Sequence, residues 1–345
     1  MKSVHHTRAV FISILAVATL HFCSSKYTLL SHCTKIICYI CPIMSVTKTL
    51  IQQLQKGDKK SLARCITIVE NELDGYEEIL TSLDFNQHIP VIGVTGPPGA
   101  GKSTLINSVI KKLTTQGKSV GVIAIDPTSP FNYGSLLGDR LRMAEHFTNE
   151  KVFIRSIATR GSLGGLSVKT IEIVDIMRAF SFDYIIVETV GVGQSEVEIV
   201  GLADTTVLVL VPEAGDEVQA LKSGVMEIAD IFVVNKSDRE GANIFLKNLA
   251  QLAHSKPLSD WSIPVIKSIA TTHEGVDELI ASINKHHTTG VNSKRPYLLV
   301  EKAYRLIQNH RMKSVSKQLL QQQIEAEFKK PDFNLYRFVK ENEFY

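Results

Sequence analysis

From residue 90 onward, short runs rich in Val and Ile alternate with amphipathic stretches: PVIGVTG, SVGVIAID, KVFIRSIA, DYIIVET, TTVLVLVP, DIFVVNK and IPVIKSIA. Within each run the apolar positions are continuous, which suits strands buried on both faces. The alternation predicts an α/β fold with a mainly parallel central sheet flanked by helices. Ahead of it, Leu50, Ile51, Leu54, Leu62, Ile66, Val69, Leu73, Ile79 and Leu80 recur at helical spacing and are interrupted by Lys56-Gly57-Asp58-Lys59. That pattern predicts a small helical hairpin. After His287 the chain is polar and helical from about Pro296 to Phe328, with a second short segment from Pro331 to the end. There Leu298, Leu299, Ala303, Leu306 and Ile307 suit packing on the core or on another subunit equally well. Four regions result: a leader over 1–43, a helical extension over 44–89, the α/β domain over 90–290 and a C-terminal helical extension over 291–345.

Charge and cysteine usage set the leader apart. Lys2, Arg8, Lys26 and Lys35 are the only charged residues before Met44; without them the basic count falls from 38 to 34, against 35 acidic residues. The formal +3 therefore gives no reason to expect nucleic acid or a membrane surface as a partner. Cys23, Cys33, Cys38 and Cys41 fall in the same stretch and Cys65 alone follows, which argues for a reducing compartment over a disulfide-stapled secreted domain. The Cys38-x-x-Cys41 pair lacks a second pair or a set of His partners and reads as incidental. The apolar run from Ala9 to Leu20 is too short for a comfortable membrane span. A signal or anchor, an organelle presequence, and codons upstream of a start at Met44 are the three readings of the leader. The last is preferred, because MSVTKTLIQQLQKGD opens an ordinary soluble helix. The expected location is the cytoplasm, or the mitochondrial matrix if residues 1–43 are a presequence.

Chemistry concentrates at the ends of the predicted strands. Gly96, Pro97, Pro98, Gly99, Ala100, Gly101, Lys102 and Ser103 fill every defined position of G-x-x-x-x-G-K-[ST], and Thr104 follows. Its glycines let backbone N–H groups turn inward around phosphates, Lys102 reaches the outer phosphates, and the Ser103 hydroxyl suits Mg²⁺. Asn235-Lys236-Ser237-Asp238 ends the run IFVVN. A carboxylate at Asp238 can accept from both the ring N–H and the exocyclic amine of guanine, which favours GTP over ATP; a helix cap is the plain alternative. Glu188 ends YIIVE and precedes Thr189-Val190-Gly191-Val192-Gly193-Gln194. There the carboxylate can hold Mg²⁺ or its water, and the Gly191 N–H can meet the terminal phosphate. Asp126 ends VGVIAID, and Asp139 follows in GSLLGDRLRM. Either can contribute to the metal site or position the attacking water, and Asp139 fits equally well as a helix cap paired with Arg142.

Taken together, GPPGAGKST, AIDPTSP, GSLLGDRLRM, RSIATRGSLGGLS, ETVGVGQSE, PEAGDEVQALKSG and NKSD closely resemble the MeaB/ArgK-type GTPases that serve methylmalonyl-CoA mutase. The likeness runs from about residue 46 to 290 and is strongest over 92–238. It implies a phosphate-loop GTPase that helps load adenosylcobalamin into an acyl-CoA mutase and protects it, with GTP hydrolysis as the timer. It implies a homodimer with helical extensions, and Mg²⁺ held through Ser103, Asp126, Asp139 and Glu188. Lys102, Asp139 and Glu188 become catalytic candidates, and Gly215 to Lys222 a mobile switch in which Lys222 signals the nucleotide state. Ser268-Ile269-Ala270 corresponds loosely to a guanine-supporting Ser-Ala turn. The tail DFNLYRFVKENEFY lacks the Gly and Pro-Ala pattern of many relatives. Two other classes compete: a nickel-delivery GTPase, which needs soft or imidazole ligands near the switches although no Cys follows Cys65 and no His lies between His146 and His254, and an amino-acid-transport kinase or ATPase, which Asp238 argues against. A nucleotide held only as a structural ligand is the non-enzymatic alternative.

Overall fold

The computed structural model describes residues 46–84, 89–126, 143–158, 168–189, 199–214, 229–254, 261–289, 295–312, 314–330 and 333–341. The leader over 1–43, Asp139, Gly191 and Lys222 lie outside the described residues. Backbone contacts divide the chain into two compact units, up to Ser82 and from Leu83 onward.

The N-terminal unit contains helix α1 (46–55), α2 (Lys59–Glu70) and α3 (Tyr76–Thr81). Asp58 ends the interruption between α1 and α2 by capping α2: its carboxylate accepts from the Ser61 N–H at 2.9 Å and from the Lys60 N–H at 3.4 Å. Such a cap satisfies helix donors that have no intrahelical partner and contributes about 1 kcal/mol. Leu50, Leu54, Leu62, Ile66, Val69 and Ile79 are buried, whereas Leu73 is exposed because α2 has already ended.

In the second unit the seven predicted strands all form: β1 (Val91–Thr95), β2 (Val120–Asp126), β3 (Val152–Ala158), β4 (Tyr184–Thr189), β5 (Thr205–Leu210), β6 (Ile231–Val234) and β7 (Val265–Lys267). They make one sheet in the order β3-β2-β4-β1-β5-β6-β7. Every pairing is parallel. The helices are α4 (Lys102–Thr115), α5 (Val168–Arg178), α6 (Ala242–His254), α7 (Val276–Thr288), α8 (Arg295–Met312), α9 (Lys317–Glu327) and α10 (Leu335–Glu341). Side chains of β5 alternate between two apolar layers. Val207 and Val209 join the cluster that includes Leu105 and Val109 of α4 and Leu279 and Ile283 of α7; Leu208 and Leu210 join Phe245 and Leu249 of α6. Two covered faces explain why the strands read as unbroken apolar runs.

The C-terminal stretch expected to be helical over 296–328 is interrupted once. Two helices form, and Ser316 starts the second by accepting from the Leu319 N–H at 3.4 Å. Serine favours such caps over helix interiors. Among the described residues no helix is long and apolar enough to cross a membrane.

Central strand β1 lies between β4 and β5, yet the chain proceeds from β1 to β2 on the far side of β4. The order of strands thus reverses direction beside β1, and in such sheets the crevice at the carboxyl ends is the expected ligand position.

Candidate functional site

The loop between β1 and α4 is shaped by the backbone before any side chain acts. Gly96 has φ 143°, and a Cβ there would stand 2.1 Å from the Val209 carbonyl oxygen of β5. Gly101 has φ 84° and caps α4, and its Cβ would stand 2.4 Å from Asn235 Nδ2. Only glycine fits both positions, so the loop can hug the sheet and turn directly into the helix. No acidic residue occupies the first turn of α4. The partial positive charge of that helix end is therefore left for an anion.

Lys102, the first residue of α4, is 8% exposed, and its ammonium donates to the Gly96 carbonyl at 2.8 Å and to the Pro97 carbonyl at 3.1 Å. It thus sits across the mouth of its own loop. Ser103 is buried beside it and donates through Oγ to Oε1 of Glu188 at 2.7 Å. Glu188, 4% exposed, comes from the end of β4. One position on, the Thr189 hydroxyl donates to Thr95 Oγ1 at 3.0 Å, joining the ends of β4 and β1. Pro98, Gly99 and Thr104 face solvent, while Pro97 and Ala100 are buried.

Asn235 is an architectural tie as well as a motif residue. Its Nδ2 donates to the Ala100 carbonyl at 2.9 Å, and its Oδ1 accepts from the Ala270 N–H at 3.1 Å. Phosphate loop, β6 end and the turn after β7 are thereby held by one buried side chain. Lys236 adopts φ 54°, unusual for a residue with a side chain, and its ammonium donates to the Gly99 carbonyl at 2.7 Å. Ser237 reaches the Ser268 carbonyl twice, by its N–H at 3.2 Å and its Oγ at 2.9 Å. Asp238 is left exposed at the rim. Next to it, Arg239 pairs with Glu213, whose carboxyl its guanidinium holds below the usual range.

The structure therefore brings together Gly96 to Thr104, Glu188, Asn235 to Asp238 and the turn Ser268-Ile269-Ala270. Asp126 ends β2 at the same sheet edge, one position beyond the pairing of Ile125 with Thr189. Thr95 and Ser108 are not marked by the sequence, because single hydroxyl residues carry no spacing signal, and Thr189 and Ser237 stand there only as members of their motifs. Ser103 Oγ and Glu188 Oε1 are hard oxygen donors side by side next to a phosphate-binding loop. That donor set fits Mg²⁺, which takes few protein ligands and completes its octahedron with phosphate and water.

Comparison with known proteins agrees with this arrangement. A protein of Pyrococcus abyssi named as a GTPase is 47% identical over 289 residues, covering 82% of this chain and 88% of that one. The mouse protein named methylmalonic aciduria type A homolog, mitochondrial, is 37% identical over 246 residues, covering 66% of this chain and 59% of that one. A crystal structure titled LAO/AO transport system kinase superposes with a TM-score of 0.63 at 25% identity, over 86% of this chain and 96% of that one. The family model described as methylmalonyl Co-A mutase-associated GTPase MeaB matches residues 62–327, and this chain is a GTPase belonging to that family.

Proposed function

We propose that this GTPase is a chaperone of an adenosylcobalamin-dependent acyl-CoA mutase, methylmalonyl-CoA mutase or a relative, whose cofactor loading and protection it times by GTP hydrolysis. The observation that carries the timing is the Ser103 to Glu188 hydrogen bond. It ties the start of α4 to the strand end that leads into residues 190–198. The partner rests on the family description and on the name of the mouse relative. Nickel delivery and transport-linked phosphorylation gain nothing from that family match.

In this reading the backbone N–H groups of Gly96 to Ser103 and the α4 N-terminus bind the triphosphate, with Thr104 next to them. The Lys102 ammonium exchanges two neutral carbonyls for phosphate oxygens, a stronger charge-assisted contact. Ser103, Glu188, Asp126 and Asp139 hold Mg²⁺, which supplies charge neutralisation on the phosphates. Gly191 meets the terminal phosphate through its N–H, and Lys222 reports the nucleotide state to the mutase. Asp238 accepts from guanine, the stem of Lys236 flanks the base, and the 268–270 turn closes its ring edge. The chain works as a homodimer through its C-terminal extension, in the cytoplasm, or in the matrix if residues 1–43 are a presequence.

The test is hydrolysis of GTP and ATP by the full chain with and without an adenosylcobalamin-dependent mutase. GTP preference and a rate raised by the mutase are expected. GTP turnover without binding to, or effect on, any such mutase would overturn the chaperone role.

A further inference from the structure

Ser108 lies in the second turn of α4 and has no part in the phosphate site. Its side chain is buried, and Oγ donates to the Ala270 carbonyl at 2.6 Å across 162 residues of sequence. The Thr104 carbonyl, the usual acceptor for a helical serine, is farther away at 3.2 Å. The hydroxyl is thus aimed out of its own helix at the turn after β7.

Ala270 and Thr271 share one trans peptide, since no cis bond occurs among the described residues. In a trans peptide the carbonyl and the N–H point in opposite directions. Holding the carbonyl at the buried side therefore turns the Thr271 N–H toward the exposed side, where Thr271 lies. The preceding amides of the turn are committed: Ser268 N–H to the Val234 carbonyl at 2.9 Å, Ile269 N–H to the Glu274 carbonyl at 3.2 Å, and Ala270 N–H to Asn235 Oδ1 at 3.1 Å. Among the described residues the Thr271 N–H takes no backbone acceptor.

We infer that Ser108 is a positioning residue for base specificity, fixing the Ala270 to Thr271 peptide so that the Thr271 N–H donates to the six-position oxygen of guanine. The inference rests on the proposed guanine reading, in which Asp238 serves the opposite side of the ring edge. Adenine carries an amine at the six position, so donor would face donor and the turn rejects it. A hydrogen bond into the carbonyl also polarises the peptide and strengthens the opposite N–H. The His273 N–H approaches the same carbonyl at 3.4 Å, so loss of the Ser108 hydroxyl loosens the peptide without leaving it unheld.

The test measures binding of GTP, ITP and 2-aminopurine riboside triphosphate to the full chain and to Ser108→Ala and Ser108→Thr. ITP keeps the six-oxygen and loses the amine; the 2-aminopurine nucleotide keeps the amine and lacks the oxygen. Ser108→Ala should weaken GTP and ITP alike by about three- to tenfold, the scale of one neutral hydrogen bond, and leave the 2-aminopurine nucleotide within about twofold. Ser108→Thr, which retains the hydroxyl, should keep the parent ratios. Equal losses for all three nucleotides with a lowered melting temperature would make the role merely structural and overturn the inference, as would unchanged ratios. If the parent chain itself binds the 2-aminopurine nucleotide as tightly as GTP, the guanine reading fails first and the inference falls with it.

Discussion

At the carboxyl ends of the strands, Lys102 and Lys236 donate to neutral carbonyls of the phosphate loop. At the amino ends the arrangement is reversed, and carboxylates accept from strand-opening N–H groups and nearby cations. Asp204 takes the Val91 N–H at 3.0 Å and the Arg178 guanidinium at 2.9 Å. Asp183 takes the Ser119 N–H and hydroxyl, each at 2.8 Å, and the Lys118 ammonium at 3.0 Å. Asp230 takes the Thr206 N–H at 2.9 Å, beside His286 and Trp261. One end has its charges matched within the protein. At the other, carbonyls of the phosphate loop are among the acceptors of Lys102 and Lys236, and an anion placed there gains charge-assisted bonds roughly twice as strong as neutral ones. Stability and function are thus separated along the same strands.

Lys102→Ala should break the functional end most severely, lowering GTP hydrolysis by about 100-fold or more, as loss of a preorganised cation does. The melting temperature should hardly move. Comparable loss of fold and activity in thermal melts and phosphate-release assays would contradict the separation.

Asp204→Ala should do the converse. It removes a nearly buried carboxylate from an N–H and a guanidinium, so denaturant unfolding should show a loss of about 2–3 kcal/mol. KM for GTP should stay unchanged, and a KM raised in step with the destabilisation would join the two ends again.

The smallest effect is expected at Asp183. Burial raises its pKa, but the Ser119 and Lys118 bonds outweigh burial and hold it below the ordinary value. The folded chain therefore releases this proton more readily than the unfolded one. Its contribution is complete above about pH 4 and fades as pH falls through the depressed pKa. The carboxylate is partly exposed, which keeps the contribution below about 1 kcal/mol. Asp183→Asn should make the acid limb of the stability curve shallower without changing GTP turnover at neutral pH; an equally steep limb would remove Asp183 from the account.

Much of this was legible in the residues. The seven runs became strands because short Val- and Ile-rich segments suit a sheet covered on both faces. Gly96 to Ser103 was legible because its constraints are local: two crowded glycines at positive φ and the lysine that directly follows the second. The break at Ser316 was not legible, because a capping serine competes only weakly with a helical pattern. Asn235 was legible as a base motif, but not as the tie between Ala100 and Ala270, which lie 135 and 35 residues away.

The sequence by itself determined the seven strands and the phosphate-loop pattern, since each depends on neighbours within a few positions. Tertiary structure alone decided that Ser103 meets Glu188, that Asn235 joins three loops, and that Ser108 holds the turn after β7. Those contacts depend on strand order and on rises of a few ångströms between packed layers. A hydroxyl or amide has no preference for a distant partner until the fold places one within hydrogen-bonding distance.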